Sequence, residues 1–387
     1  YQFIMQQISS AAFSDTKPHY ELLDGLRGVA ALLVVWYHVF EGYAFAGGTL
    51  IESINHGYLA VDFFFILSGF VIGYAYDDRW GKSLTVKNFF KRRLIRLHPM
   101  VVMGAVLGVI TFCIQGSEQW DGTHVATSMV MWALLFAMFF IPAYPGAGYE
   151  VRGNGEMFPL NGPSWSLFFE YIGNILYALF VRKFNKVALS VLVFVAGCFT
   201  VYRCLTAPAG DIVGGWALNW EQQYVGMVRL MYPFFGGLLL SRLGWLIRLE
   251  KRAFWWCSLL IVVVLSIPRI GGEDGYWMNG LYEAFCIICI FPVIVSMGAG
   301  GKVTGKRSTA VCKFLGDISY PIYITHYPLV YTYTAWVCNN NATMAEGIPY
   351  MILTFVGAVV LAYACLKLYD EPVRKWLTDR FLKGKKK

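Results

Sequence analysis

Hydrophobic residues run along most of this chain in blocks of about 20 residues, the length that crosses a bilayer as an α-helix. Short polar or basic segments separate the blocks, and the polar stretches are too short to fold alone. We find no tandem repeat. The pattern predicts an all-α polytopic membrane protein without a separate soluble domain. The apolar blocks cover residues 26–45, 57–76, 97–115, 125–143, 163–182, 187–205, 224–244, 253–271, 277–299, 311–336 and 346–368.

Composition supports this prediction and excludes two other classes of protein. Of 387 residues, 57% are hydrophobic and only 14% are charged, whereas soluble domains carry about 25% charged residues. The net charge of +8 could suggest nucleic acid, but Lys and Arg concentrate in short loops and in the KGKKK tail, as cytoplasmic loops do. Cys286 and Cys289 form a CxxC inside an apolar block, where packing is the expected role, and no disulfide framework is indicated.

The distribution of basic loops predicts the sidedness of the chain. Residues 77–96 are strongly basic and should be cytoplasmic, which places the N-terminus inside. Counting backwards from the basic tail places the basic loops 181–186, 241–252 and 301–313 inside as well.

The two counts disagree at block 125–143, because both segments that flank it fall outside. We therefore predict that this block is re-entrant and that about ten helices cross, with both termini cytoplasmic. The expected organisation is an N-terminal cytoplasmic segment (1–20), a membrane domain (21–370) and a basic cytoplasmic tail (371–387).

Several ionisable residues fall at similar depths inside apolar blocks. His38 follows Arg27 by eleven positions, a rise of about 16 Å that places it near the midplane. Glu170 and His326 also fall within the membrane, and Ser68 lies close to the midplane. Buried ionisable groups are expensive in a membrane and mark functional sites by default. Together they predict an active site.

Each residue taken alone has a plainer interpretation. A single membrane histidine is commonly a hydrogen-bonded packing residue, and Ser68 alone could serve close packing. Asp62 lies nearer the outer face and could form a structural ion pair. A His and a carboxylate at one depth are harder to explain by packing, because each would be costly to bury unpaired. They can act as a general base and its orienting partner. Zinc is an alternative, but no HExxH pattern supports it, and we expect no metal.

A basic cluster lies at the predicted cytoplasmic end of the third apolar block. Arg93 and Arg96 are three residues apart and should share a helix face, with Arg92 beside them. Such a cluster commonly marks topology and contacts lipid headgroups. Arginine also pairs bidentately with phosphate. Because Arg27 lies at the same predicted depth, a phosphorylated donor held there could extend an acyl arm about 16 Å to His38.

Five motifs span about residues 20–370. They are LDGLRGVAALLVVWYHVF, GYLAVDFFFILSGFVI, FFKRRLIRLHP, GPSWSLFFEYIGNILY and FLGDISYPIYITHYPLV. Together they resemble the acyltransferase-3 family of integral membrane acyltransferases, and they occur in the order that this family shows, which makes the set specific.

The resemblance implies a ten-helix enzyme of the inner or plasma membrane that takes an acyl group, preferably acetyl, from cytoplasmic acyl-CoA. The acceptor would be a hydroxyl of a cell-surface glycan, a lipid-linked saccharide or another envelope molecule. His38 would be catalytic, and Glu170 would assist it or position the acceptor. Some family members append an SGNH-type domain, which we do not expect in this sequence. The CoA phosphates would be held by Arg27, Arg93, Arg96 and Arg92. Supporting or substrate-binding roles would fall to Asp62, Ser68, Trp165, Ser166, Tyr320 and His326.

Two other functions fit part of the pattern. A transporter or flippase for a lipid-linked or acidic saccharide would also carry charged residues at mid-depth, although internal repeats are not evident. The other large superfamily of membrane-bound O-acyltransferases also uses a membrane histidine, but the order of motifs argues against it. The identity of the acceptor, the acyl chain, the oligomeric state and the choice between direct transfer and an acyl-histidine stay open.

Overall fold

The computed structural model describes residues 20–45, 55–270 and 275–382. Within these ranges the chain is helical, and β structure is confined to isolated bridges. The predicted all-α architecture is confirmed. The helices are α1 (Glu21–Phe45), α2 (Ala60–Tyr76), α3 (Val86–Ile114), α4 (Thr127–Met138), α5 (Ser164–Leu179), α6 (Lys186–Thr206), α7 (Trp220–Leu243), α8 (Ala253–Ser266), α9 (Tyr276–Gly300, with a π-helical turn at Cys286–Ile290), α10 (Lys306–Asn340) and α11 (Met344–Phe381, with a π-helical turn at Leu366–Asp370).

Length and apolar composition make this chain a multi-pass membrane protein. Seven helices among the described residues are long and apolar enough to cross a bilayer, namely α1, α2, α3, α6, α7, α9 and α11. Helices α5 and α8 are shorter, with 16 and 14 residues, and the 35-residue α10 is polar over its first turns. The count of ten crossings and the placement of both termini stay predictions. Residues 1–19 and 383–387 lie outside the described residues.

The predicted re-entrant block contains only the short helix α4. Its 12 residues would extend about 18 Å, well below the roughly 30 Å of a hydrocarbon core. The segments on either side of α4 contact each other, since the Trp120 amide donates to the Arg152 carbonyl at 3.1 Å. The other end of α4 meets the middle of α3, where His98 Nε2 lies 2.8 Å from the Met138 carbonyl oxygen. These contacts place α4 beside α3, and its re-entrant course stays a prediction.

Helices α1 and α10 run parallel in close contact, and this pairing brings the two motif histidines together. A Cβ on Gly28 would lie 2.2 Å from the Leu315 carbonyl oxygen, so glycine is needed for the backbones to approach. The same register continues along both helices and places His38 beside His326, with ring centroids 5.5 Å apart. The glycines of the first motif therefore determine what His38 contacts.

The segment 139–163, between α4 and α5, closes the predicted outer end of the bundle. Its Arg152 is buried, donates to Gln115 at 2.6 Å and lies over the Tyr331 ring at 3.8 Å. Pro328 has no amide hydrogen and leaves the Ile324 carbonyl without its helical partner. Asn161 Nδ2 donates to that carbonyl at 2.9 Å. This segment is thus tied to α3 and to the part of α10 that carries His326.

Helices α2 and α7 also pack closely. A Cβ on Gly69 would lie 1.7 Å from the Phe234 carbonyl oxygen, so the glycine of the second motif permits the two helix backbones to approach. Near the other end of α2, Arg229 of α7 pairs with Asp62 at 2.7 Å, and both side chains are buried. This pair fixes α2 against α7 beside the apolar core.

Candidate active site

A cavity that is partly open to solvent lies between α1, α2, α3, α5 and α10. Three arginines, Arg27, Arg93 and Arg96, line it, which brings together the basic residues that the sequence predicted would share one end. The remaining lining residues are Val61, Phe64, Phe65, Ser68, Val71, Leu97, Ser166, Leu167, Glu170, Ser319, Tyr320 and Tyr323. We call this cavity the donor pocket.

The arginines of the donor pocket differ in how much of their charge is already paired. Arg93 is buried and donates to Glu170 Oε1 at 2.6 Å. Arg27 donates to Asp24 at 2.9 Å from the preceding turn of α1. Arg96 is exposed and lies one helical turn from Arg93, so both face the pocket as the i, i+3 spacing predicts. Arg92 does not line the pocket. A guanidinium that is only partly paired can bind an anion.

Glu170 lies in the donor pocket and contacts neither motif histidine. Besides Arg93, it accepts a hydrogen bond from Ser68 Oγ at 2.6 Å, so one carboxylate oxygen joins α2, α3 and α5. A buried arginine needs such a partner, because an unpaired buried charge costs several kcal/mol (roughly 3–5). The observed geometry suits a residue that orients Arg93 in the pocket.

His38 is paired with Glu41, a residue that the sequence interpretation missed. His38 Nδ1 lies 2.6 Å from Glu41 Oε2, and both side chains are about one-fifth exposed. The Tyr327 hydroxyl also donates to Glu41 Oε2 at 3.4 Å. Since a carboxylate accepts hydrogen bonds, Nδ1 carries a proton, and in the neutral ring Nε2 then presents a lone pair. The i, i+3 spacing of the two residues on one helix was the available signal.

His326 stacks on His38 at an interplanar angle of 30° and is fully buried. Its Nδ1 bonds the Ile322 carbonyl at 2.9 Å, and its Nε2 has no partner among the described residues. The rings of the two motif histidines are therefore adjacent, and their depth in the membrane stays a prediction.

A hydrogen-bonded pair separates the donor pocket from the two histidines. The Tyr323 and Ser166 hydroxyls lie 2.6 Å apart at the end of the pocket. Tyr323 precedes His326 by three residues, a rise of about 4.5 Å along α10. Tyr320, one turn before Tyr323, donates to the Leu97 carbonyl at 2.6 Å and holds α10 against α3. Neither histidine lines the pocket.

Two further predicted residues, Asp62 and Trp165, also lie outside the donor pocket. Asp62 accepts two hydrogen bonds from Arg229, at 3.3 and 2.7 Å. Trp165 lies over the same guanidinium at 5.1 Å. Asp62 forms the ion pair that joins α2 and α7, and Trp165 packs against it, which agrees with the interpretation of Asp62 as a structural residue. Within the described ranges, no group of three His, Cys, Asp or Glu side chains is arranged to hold a metal ion.

Comparison with known proteins agrees with this arrangement of motifs. Residues 20–366 match the family model described as an acyltransferase domain. The chain belongs to the acyltransferase-3 family. This match covers every motif residue discussed above, including those of α1, α3, α5 and α10, and confirms the resemblance that the sequence showed.

Curated relatives of this acyltransferase-3 chain include envelope-modifying enzymes. It is 38% identical over 385 residues to a peptidoglycan O-acetyltransferase of Listeria monocytogenes, which covers 94% of this chain and 57% of that protein. It is 24% identical over 330 residues to the acyltransferase MdmB of Streptomyces mycarofaciens, which covers 80% and 78%. It is 36% identical over 164 residues to protein 2 in the picA locus of Rhizobium radiobacter. The chain spans a little over half the length of the Listeria relative. No solved structure matches it.

Proposed function

We propose that this acyltransferase-3 chain transfers an acetyl group from cytoplasmic acetyl-CoA to a hydroxyl of a cell-envelope saccharide. One observation carries the proposal: a pocket lined by three arginines reaches Tyr323, one helical turn from His326, and the His326 ring stacks on His38 of the His38–Glu41 pair. The arginines suit the phosphates of CoA. The apolar walls between them and Tyr323 suit its extended arm. The peptidoglycan relative supports a saccharide as the acceptor.

In this proposal His38 is the general base and Glu41 holds its tautomer. His38 Nε2 takes the proton of the acceptor hydroxyl while the oxygen attacks the carbonyl carbon of the thioester. The carbon–sulfur bond breaks, and the CoA thiolate takes the proton back from the imidazolium. The products are the acetyl ester and CoA thiol, so the protons balance and no further reactant is needed.

Access to His38 comes from two sides in this scheme. The donor enters through the arginine end of the pocket, and the Tyr323 side chain moves aside so that the thioester reaches Nε2. His38 and Glu41 keep about one-fifth of their side chains exposed although neither lines the donor pocket. We infer that the acceptor reaches His38 by that separate exposed side.

The test uses purified protein in lipid nanodiscs with radiolabelled acetyl-CoA and chitopentaose as the saccharide probe. We expect CoA release and labelled saccharide from the wild type and neither from His38→Ala. His98→Gln is the control, because His98 is also a histidine on a membrane helix but bonds the Met138 carbonyl, and the Gln amide can retain that bond. It should behave as the wild type. Full activity of folded His38→Ala would refute the assignment, and a transporter would show no CoA release in any variant.

A further inference from the structure

His326 has a buried ring nitrogen without a hydrogen-bond partner among the described residues, and its ring stacks on the ring of His38. Its side chain is fully buried, and its Nδ1 bonds the Ile322 carbonyl oxygen at 2.9 Å. A carbonyl oxygen can only accept, so the proton is on Nδ1 and Nε2 is an acceptor. That Nε2 is buried and has no partner among the described residues.

An acceptor buried without a donor is costly and uncommon. Native proteins pair about nine in ten buried polar groups, and leaving one unpaired costs about 1–3 kcal/mol. The neighbouring Thr325 shows the contrast. It is equally buried, and its only hydrogen-bonding side-chain group, Oγ1, donates to the Pro321 carbonyl at 2.9 Å. If His326 served packing alone, an apolar ring would fill the position without this cost.

The surroundings of His326 indicate where the missing donor comes from. Its ring stacks on His38, and the Tyr323 and Tyr327 rings lie 6.1 and 5.8 Å away. The Tyr327 hydroxyl is committed to Glu41, and the Tyr323 hydroxyl pairs with Ser166. His38 has a second acceptor when its ring is neutral, because its Nδ1 is bonded to Glu41 and leaves a lone pair on Nε2, and its ring centroid lies 5.5 Å from that of His326.

Two neighbouring acceptors cannot both be satisfied by one hydroxyl, which has a single proton. A molecule with two adjacent donors can satisfy both at once. The vicinal hydroxyls of a sugar ring, or a hydroxyl beside an acetamide N–H, have this arrangement. The stacked imidazoles would hold the reacting hydroxyl on His38 and its neighbour on His326.

We propose that His326 is a positioning residue whose Nε2 accepts a hydrogen bond from a donor adjacent to the reacting hydroxyl of the acceptor. The inference rests on the proposed function and narrows it, since it selects saccharides with two neighbouring donors over isolated alcohols. His326 takes no part in binding the CoA donor, because it does not line the donor pocket.

The decisive experiment compares His326→Gln with His326→Asn. The amide of Gln reaches the position of Nε2 and can offer an oxygen there, whereas the shorter Asn amide lies near Nδ1 and can only restore the bond to Ile322. We expect the acceptor KM for chitopentaose to rise roughly ten- to hundredfold in His326→Asn and much less in His326→Gln. The KM for acetyl-CoA should not change in either variant. Thr325→Val, which removes a buried polar group one residue away, should leave both KM values unchanged.

A second measurement uses small alcohols as acceptors. The wild type should acetylate trans-1,2-cyclohexanediol faster than cyclohexanol, and this preference should disappear in His326→Asn. If His326 had only a structural role, His326→Asn would retain more activity than His326→Gln. The KM values for acetyl-CoA and for the acceptor would then rise equally. Either result, or a wild type that uses chitopentaose but shows no preference for the diol, overturns the inference. A wild type that releases no CoA with any acceptor refutes the proposed function itself, and the role of His326 with it.

Discussion

Replacing Glu41 by Gln removes one charge from the site and changes almost no volume. In the wild type the carboxylate accepts the proton of His38 Nδ1 at 2.6 Å and leaves Nε2 free as a base. A Gln side chain can instead donate its N–H to Nδ1. The proton would then be on Nε2, where His38 can no longer accept the proton of the acceptor hydroxyl.

The expected size of the effect follows from the geometry of the pair. A hydrogen bond to a charged group contributes about 1.5–3 kcal/mol. Both partners are about one-fifth exposed, so solvent screening favours the lower half of that range. The tautomer change adds a cost that exposure does not reduce. We therefore expect kcat to fall at least about tenfold, and up to several hundredfold.

The assay is the release of CoA from acetyl-CoA by protein in nanodiscs, with chitopentaose present and KM and kcat measured separately. Glu41→Gln should lower kcat and leave the KM for acetyl-CoA unchanged, because Glu41 does not line the donor pocket. Glu170→Gln is the matched control, because it makes the same chemical change inside the donor pocket. It should mainly raise the KM for acetyl-CoA, because Arg93 loses the carboxylate that orients it in the pocket. If Glu41→Gln kept the wild-type kcat while Glu170→Gln abolished it, Glu170 would be the orienting carboxylate and our assignment would be wrong.

Three further predictions concern binding and stability. Arg96→Ala should raise the KM for acetyl-CoA roughly tenfold, as expected for the loss of one phosphate contact of about 1.4 kcal/mol. Arg92 lies outside the pocket, so Arg92→Ala should change this KM little. Asp62→Asn should lower the free energy of unfolding by about 3 kcal/mol or more, because Arg229 would stay buried without a charged partner. The kcat per folded molecule should be retained, and a selective loss of kcat would contradict the structural role of Asp62. Burial lowers the pKa of His56 from 6.5 to about 4, so the folded state favours the neutral ring. The contribution of His56 to stability is therefore complete above pH 6.5 and is lost as the pH falls towards 4. His56→Gln should show a shallower acid destabilisation in thermal melts between those pH values, and an unchanged slope would refute this.

The sequence predicted the donor pocket better than it predicted the partner of the histidine. The arginines Arg27, Arg93 and Arg96 do share one cavity, because helical rise and the i, i+3 spacing are properties of the local chain. Depth along a helix, however, does not specify direction around its axis. Glu170 and His38 were predicted to act together from depth alone, and the structure pairs Glu170 with Arg93 and His38 with Glu41.

Asp62 shows the same limit of prediction from sequence, because its partner lies on another helix. Its burial was expected to be costly unless paired, but its partner Arg229 lies 167 positions away in the chain. No periodicity within one helix can indicate such a partner. Tyr323 was missed for a related reason, since an aromatic residue in an apolar block predicts packing, and its contact with Ser166 depends on how α10 meets α5.

The amino-acid sequence by itself therefore determined the all-α membrane class, the family and the set of residues that the site could draw on. These properties are encoded in apolar block length, in charge placement and in the order of motifs along the chain. The assignment of partners within that set came from the packing of helices. The close approach of α1 and α10 at Gly28 and Leu315 places His38 beside His326. The contacts of α3 with α5 pair Glu170 with Arg93. Which side chains meet is set by how each helix is rotated against its neighbours, and that rotation depends on side-chain packing and on the pairing of buried charges between helices.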